Sequence, residues 1–155
     1  MASKLLESLQ QHIENVLPES TVDRCEEQSC SLNLSGISNR IILKGEKTCK
    51  DKISDCIIFL EKDGIKLCIA ELKSKRLHPR DIPKKLCNAA RIAFEIFDSC
   101  NIEISTPFFL VLHKGANSSE YLILSNKNVY LHGKNYPIQI KKCGSSLLDL
   151  LEQFK

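Results

Sequence analysis

A chain of 155 residues that is 43% hydrophobic and 26% charged reads as one soluble globular domain with room for a real core. No window approaches the roughly 18 uninterrupted apolar residues of a membrane span, and the N-terminal MASKLLESLQQHIENVLPES, broken by Glu, Gln and His, lacks the apolar centre of a secretory signal. These features point away from a membrane and towards the cytoplasm, and a net charge of +3 leaves the partner to be read from where the charges lie.

Leu5, Leu6, Leu9, Ile13, Val16 and Leu17 recur at helical spacing, and Pro18 ends the pattern. Residues 19–31 are polar and acidic without a clear period, as in a loop or insertion. NRIILKG (39–45) is a short β-rich run, joined to the earlier SLNLSG by a bend at Gly36. Two apolar runs follow, over 53–61 and 65–73, connected by Glu61-Lys62-Asp63-Gly64. From Asp81 the period changes. Leu86, Ala89, Ala90, Ala93 and Phe97 share one helical face and Lys84, Asn88, Arg91 and Glu95 the other, with Pro83 suited to the first turn.

TPFFLVLHKG predicts a strand buried on both faces. YLILSNKNVYLHG predicts two strands around Asn126-Lys127-Asn128, YPIQIKK another, and SSLLDLLEQF a closing helix. The expectation is a single α/β domain over 1–155, in the order α-β-β-β-α-β with extra C-terminal strands and a closing helix.

Eight cysteines in a chain with no export signal and an ample core are expected to be reduced. Cys56 and Cys68, inside apolar strands, then act as small hydrophobes. Cys25-x4-Cys30 is the best fragment of an alternative zinc site, but no second tight pair follows it.

Three charges interrupt the hairpin SDCIIFLEKDGIKLCIAELKSK: Asp55, Glu71 and Lys73. Their meeting depends on the turn, because a slip of one residue moves every side chain to the other face. A two-residue Asp63-Gly64 loop pairs Lys62 with Ile65 and points Glu71 away. A three-residue loop with a left-handed Gly64 pairs Glu61 with Ile65 and sets Asp55 opposite Glu71. Adjacent carboxylates repel, and they become favourable around a divalent cation such as Mg2+, to which the Leu72 carbonyl would add an oxygen. The segment after the hairpin, LKSKRLHPRDIPKK, sets Lys73, Lys75, Arg76, Arg80, Lys84 and Lys85 against Asp81, a footprint suited to phosphate.

Asp55 in one strand, Glu71-Leu72-Lys73 in the next and a helix after them resemble the PD-(D/E)xK nuclease superfamily, with its restriction-endonuclease-like αβββαβ core. The resemblance covers roughly residues 3–113. It implies Asp55 and Glu71 as metal ligands, Lys73 as the catalytic lysine, and hydrolysis of a phosphodiester by water activated at Mg2+, with Mn2+ able to substitute. Many members add an acid from the first helix, for which Glu14 is the candidate ahead of Glu7. Ser54 stands where the family often has proline, and Lys85 or Asn88 would supply a polar contact from the following helix.

The resemblance further implies nucleic acid as partner, DNA ahead of RNA, held through Lys75, Arg76, Arg80, Lys84 and Lys85 on its backbone. No zinc finger or helix-turn-helix is evident, and with no Trp and three Tyr there is little for base stacking. A homodimer or a recruiting protein would then find the target. The alternative is a non-catalytic nucleic-acid-binding or assembly subunit on the same fold. His12, His78, His113 and His132 share no metal-binding spacing, and neither a phosphate-binding glycine loop nor a G-x-S-x-G serine occurs.

Overall fold

The alternation of apolar side chains along the central strands decides what covers each face of the sheet. The computed structural model describes residues 3–74, 77–103 and 106–153. Helix α1 (Lys4–Val16) is followed by the short strands β1 (Thr21–Val22), β2 (Glu26–Glu27) and β3 (Cys30–Ser31). Then come β4 (Arg40–Lys44), a 3-10 turn (Gly45–Lys47), β5 (Cys56–Glu61), β6 (Ile65–Lys73) and α2 (Ile82–Ser99). The chain closes with β7 (Phe108–His113), α3 (Ser118–Ser125), β8 (Asn128–Leu131), β9 (Lys134–Lys142) and α4 (Leu147–Gln153).

Seven strands form a mixed sheet in the order β1-β4-β5-β6-β7-β9-β8, while β2 and β3 pair separately. Neighbours from β1 to β6 run antiparallel, β6-β7-β9 run parallel, and β8 returns antiparallel at the edge. Ile57, Phe59, Leu67, Ile69, Phe109 and Val111 point to the face covered by α1 and α2, where Phe59 meets Phe97 edge to face at 5.2 Å. Ile58, Leu60, Cys68, Ala70, Leu110 and Leu112 point to the other face, covered by the 25–37 segment and α4. Burial on both sides explains the near-continuous apolar runs of β5, β6 and β7.

The expected order α-β-β-β-α-β is present as α1-β4-β5-β6-α2-β7. Several local expectations are corrected. Residues 118–125 are helical, because Asn117 caps the Glu120 N–H at 2.8 Å and Glu120 returns to the Asn117 N–H. That reciprocal box starts a helix in an apolar run with no strand alternation. Beyond Ser31, which ends β3, SLNLSG forms no strand and keeps one bridge, Asn33 to Ser146. Residues 19–31, expected as a loop, hold β1 to β3, with left-handed Glu19 and Gln28 at the bends.

The cysteine expectation is also corrected. Disulfides join Cys25 to Cys56 and Cys30 to Cys143, with Cα separations of 5.9 and 5.1 Å. Cys25 therefore bonds to β5 and Cys30 to the turn just after β9, instead of sharing a zinc ion. Cys68 remains a buried thiol, its pKa pushed up by burial. The β2-β3 hairpin is too small to bury a core of its own, and the two cross-links hold it against the sheet. Among the described residues, no helix is long and apolar enough to cross a membrane.

Candidate active site

Strands β5 and β6 pair Glu61 with Ile65 and Cys56 with Ala70, the register of a three-residue connection. Asp63 and Gly64 both take positive φ (56° and 103°), so two left-handed residues close the turn where only Gly64 was expected to. One step beyond Cys56–Ala70, this register brings Asp55 to Glu71. Asp55 lies in the bend just before β5, and its Oδ2 accepts the Leu72 N–H at 2.7 Å. A strand residue's N–H and C=O leave the chain on the same side, so the Leu72 carbonyl also faces the Asp55 side.

The Asp55 segment is fastened at several points. The Gly45 N–H donates to the Asp55 carbonyl at 2.8 Å, and the Ser54 N–H donates to the Lys85 carbonyl at 3.3 Å. Asn88 Nδ2 donates to the Lys52 carbonyl at 2.7 Å. A Cβ on Gly45 would fall 1.8 Å from the Ser54 carbonyl oxygen, so the 3-10 turn touches this segment backbone to backbone.

Glu71 is 1% exposed, on the face covered by α2. Its Oε2 is sealed from solvent with no hydrogen bond of good geometry, though Lys85 Nζ stands 3.3 Å away. Burial, together with a hydrogen bond to Asp55 and the Asp55 charge, pushes the Glu71 pKa up to about 8, against the pull of Lys73 and Lys85. Burial disfavours the Lys85 ammonium, but Glu71, together with Lys73 and the Asp55 charge, outweighs it and holds the Lys85 pKa above its ordinary value.

The converging oxygens are hard donors, the type that Mg2+ or Mn2+ takes in preference to softer metals. The orphaned Oε2 beside Asp55 suits such an ion. Among the described residues, no His, Cys, Asp or Glu joins them to make a group of three. Glu14 is exposed on α1, where it accepts a hydrogen bond from Gln10 at 3.1 Å, and Glu7 is exposed as well.

Of the basic residues expected on nucleic acid, Lys85 turns into the site. Arg80 and Lys84 are exposed at the start of α2, and Lys75 and Arg76 lie outside the described residues. Lys73 is half-buried beside Glu71 in sequence and follows it on the same face.

Sequence reasoning gave His113 no role beyond setting it aside as a metal ligand, and passed over Lys142. The parallel register aligns Lys73 with His113 and His113 with Lys142, one row beyond Glu71. Odd-numbered Val111 and even-numbered Ile140 belong to the α2 face, so His113 and Lys142 share that face with Lys73. The intervening side chains go the other way: Lys114 Nζ reaches Ser29 Oγ at 2.6 Å and Cys143 bonds to Cys30. Burial and the nearby Lys142 charge lower the His113 pKa, and its Nδ1 is buried without a hydrogen-bond partner. Comparison of the chain with family models, with curated proteins and with solved structures gives no match.

Proposed function

We propose that the protein is a metal-dependent nuclease of PD-(D/E)xK type, hydrolysing phosphodiester bonds of nucleic acid, DNA ahead of RNA. The observation that carries this reading is the meeting of two carboxylates, Asp55 and Glu71, at the end of a buried hairpin where their repulsion has no structural use. The element order α1-β4-β5-β6-α2-β7 supports the restriction-endonuclease-like assignment. Asp55, Glu71 and the Leu72 carbonyl would hold Mg2+ or Mn2+. When bound, the ion supplies Lewis-acid activation of the phosphodiester and of its nucleophile.

The chain's own residues prepare for this. The Leu72 N–H fixes one Asp55 oxygen in place. Glu71 holds a proton until a cation makes its ionised form favourable. Lys73, one turn of the strand pleat beyond Glu71, presents its ammonium to the negative charge that builds on a phosphate. Lys85, 3.3 Å from Glu71 Oε2, would lower the cost of ionising Glu71 when the cation takes the place of its proton.

The test is cleavage of plasmid, single-stranded DNA and RNA with Mg2+ and Mn2+. Wild type is expected to cut in a metal-dependent way, and Asp55→Ala, Glu71→Ala and Lys73→Ala are each expected to lose about 100-fold or more. Cutting that survives Glu71→Ala would sink the reading. One observation favours the alternative, a non-catalytic nucleic-acid-binding or assembly subunit: Lys85 already supplies a positive charge at Glu71. Calorimetry with Mg2+ separates the two, because an internal lysine pair has no call on an added ion.

A further inference from the structure

We infer that Lys73, His113 and Lys142 form a track that seats the phosphodiester backbone of the strand leaving the Asp55–Glu71 pair; this rests on the nuclease reading above. The three residues occupy one register row across β6, β7 and β9, at the carboxyl ends of three parallel strands. Neighbouring strands lie about 4.8 Å apart, so the row is about 10 Å long, the axial rise of about three nucleotides at roughly 3.4 Å each.

The row has two cations and no acid. Glu71 lies behind Lys73 in the next row, where the paired positions on β7 and β9 are the apolar Val111 and Ile140. An anionic chain therefore meets carboxylates at only one end of the track, where the proposed ion sits. His113 sits between the lysines with a lowered pKa, so at neutral pH it offers a neutral N–H instead of a third charge. Two cations and a neutral donor suit a phosphate chain, whose oxygens accept hydrogen bonds at every residue.

This placement differs from the one that the basic segment 73–85 implies. There the strand would follow the loop into α2, whereas the row carries it across the sheet, over β7 and β9. The C-terminal strands thereby gain a role, since β9 supplies the far end of the track.

The test is fluorescence anisotropy of a short fluorescein-labelled oligonucleotide, single-stranded and as a duplex, in EDTA across a potassium chloride series. Lys142→Ala is expected to weaken binding about fivefold at low salt and to reduce the salt slope by about 0.7 for the single strand or 0.9 for the duplex. His113→Ala should weaken binding about threefold with the slope unchanged, because a neutral donor displaces no counterion. Lys4→Ala is the control, since α1 begins beside Glu61 at the opposite end of β5 and should bind as wild type does. Circular dichroism verifies that each variant is folded.

Unchanged affinity and slope in both Lys142→Ala and His113→Ala would overturn the track, as would failure of the wild type to bind either probe. Because EDTA removes the ion, the outcome is independent of cleavage. Weakened row variants in a protein that never cuts would retain the track and remove the nuclease. A metal-dependent cutter with unaltered row variants would do the reverse.

Discussion

Lys85 Nζ lies 3.3 Å from Glu71 Oε2, joining the first turns of α2 to the end of β6 across the wall of the site. The lysine side chain is 22% exposed and the glutamate side chain 2% exposed, so the partner that suffers from separation is the glutamate. Lys85→Met keeps the stem and removes the charge. It is expected to cost about 1–2 kcal/mol at pH 8 and less at pH 5, where Glu71 carries a proton whether or not Lys85 is there. Urea denaturation at the two pH values checks this; equal costs would mean that the pair has no electrostatic content.

Glu71 makes the metal-free protein sensitive to pH. The folded chain keeps the Glu71 proton up to about 8, whereas a glutamate ordinarily loses it near 4.5. Between those values the native state binds more protons than the unfolded state, so stability is full below the lower value and falls as pH rises through the window. The loss is on the order of 2–4 kcal/mol, equivalent to about 4–16 °C in a chain of this size. Glu71→Gln should flatten the profile and raise the melting temperature at pH 8 in EDTA. A variant with the wild-type slope would transfer the effect to another group.

The same titration sets when a cation can enter. A divalent ion competes with the Glu71 proton, so Mg2+ affinity measured by calorimetry should rise between pH 6 and 8 and level off above about 8. Each ion bound near pH 7 should release close to one proton, which appears as a dependence of the heat on the buffer. Affinity that is flat across this range would separate Glu71 from ion binding.

Gly45 positions Asp55 without touching it through a side chain. The Cβ of Gly45→Ala would overlap the Ser54 carbonyl, a backbone atom that cannot rotate away. The expected cost is about 2–3 kcal/mol. Ion affinity should fall further than in a stability-matched variant from the far end of the sheet, because the shift is delivered to the residue next to Ser54. Equal affinity in the two would reduce Gly45 to a packing role.

Reduction of the disulfides should release the 25–37 segment from the sheet. The cross-links span sequence separations of 31 and 113 residues, and closing loops of that size contributes about 3–5 kcal/mol each in the chain-entropy account. Cys30→Ser with Cys143→Ser should lower the urea midpoint accordingly, and a reductant should lower that of the wild type but not of a variant lacking all four paired cysteines.

The hairpin at the site was legible because its information is local. Asp63-Gly64 limits the turn to a few forms, and only one register lets Asp55 and Glu71 share a face. The left-handed Asp63 was not singled out, although Asp tolerates that conformation and Asp-Gly favours it. Helix α3 was written in the sequence as Asn117-x-x-Glu120, but the apolar YLIL hid it behind the look of a strand. The Cys30–Cys143 bond and the Lys73–His113–Lys142 row were illegible for a different reason. Both require knowing that β9 inserts between β7 and β8 and runs parallel to β7, and no periodicity within β9 encodes its neighbours. Lys85 falls between these cases: helical spacing set it on the polar face of α2, while its approach to Glu71 depends on how α2 docks.

The Cys30–Cys143 bond makes a covalent ring of most of the chain. Asp55, Glu71, Lys73, Lys85, His113 and Lys142 all belong to that ring. Breaking one peptide bond inside it, for instance where residues 117–119 are exposed after β7, opens the ring without dividing the molecule. The candidate catalytic groups and the strand that carries the end of the track thus stay tethered through a single nick, and only a second break or a reductant can part them.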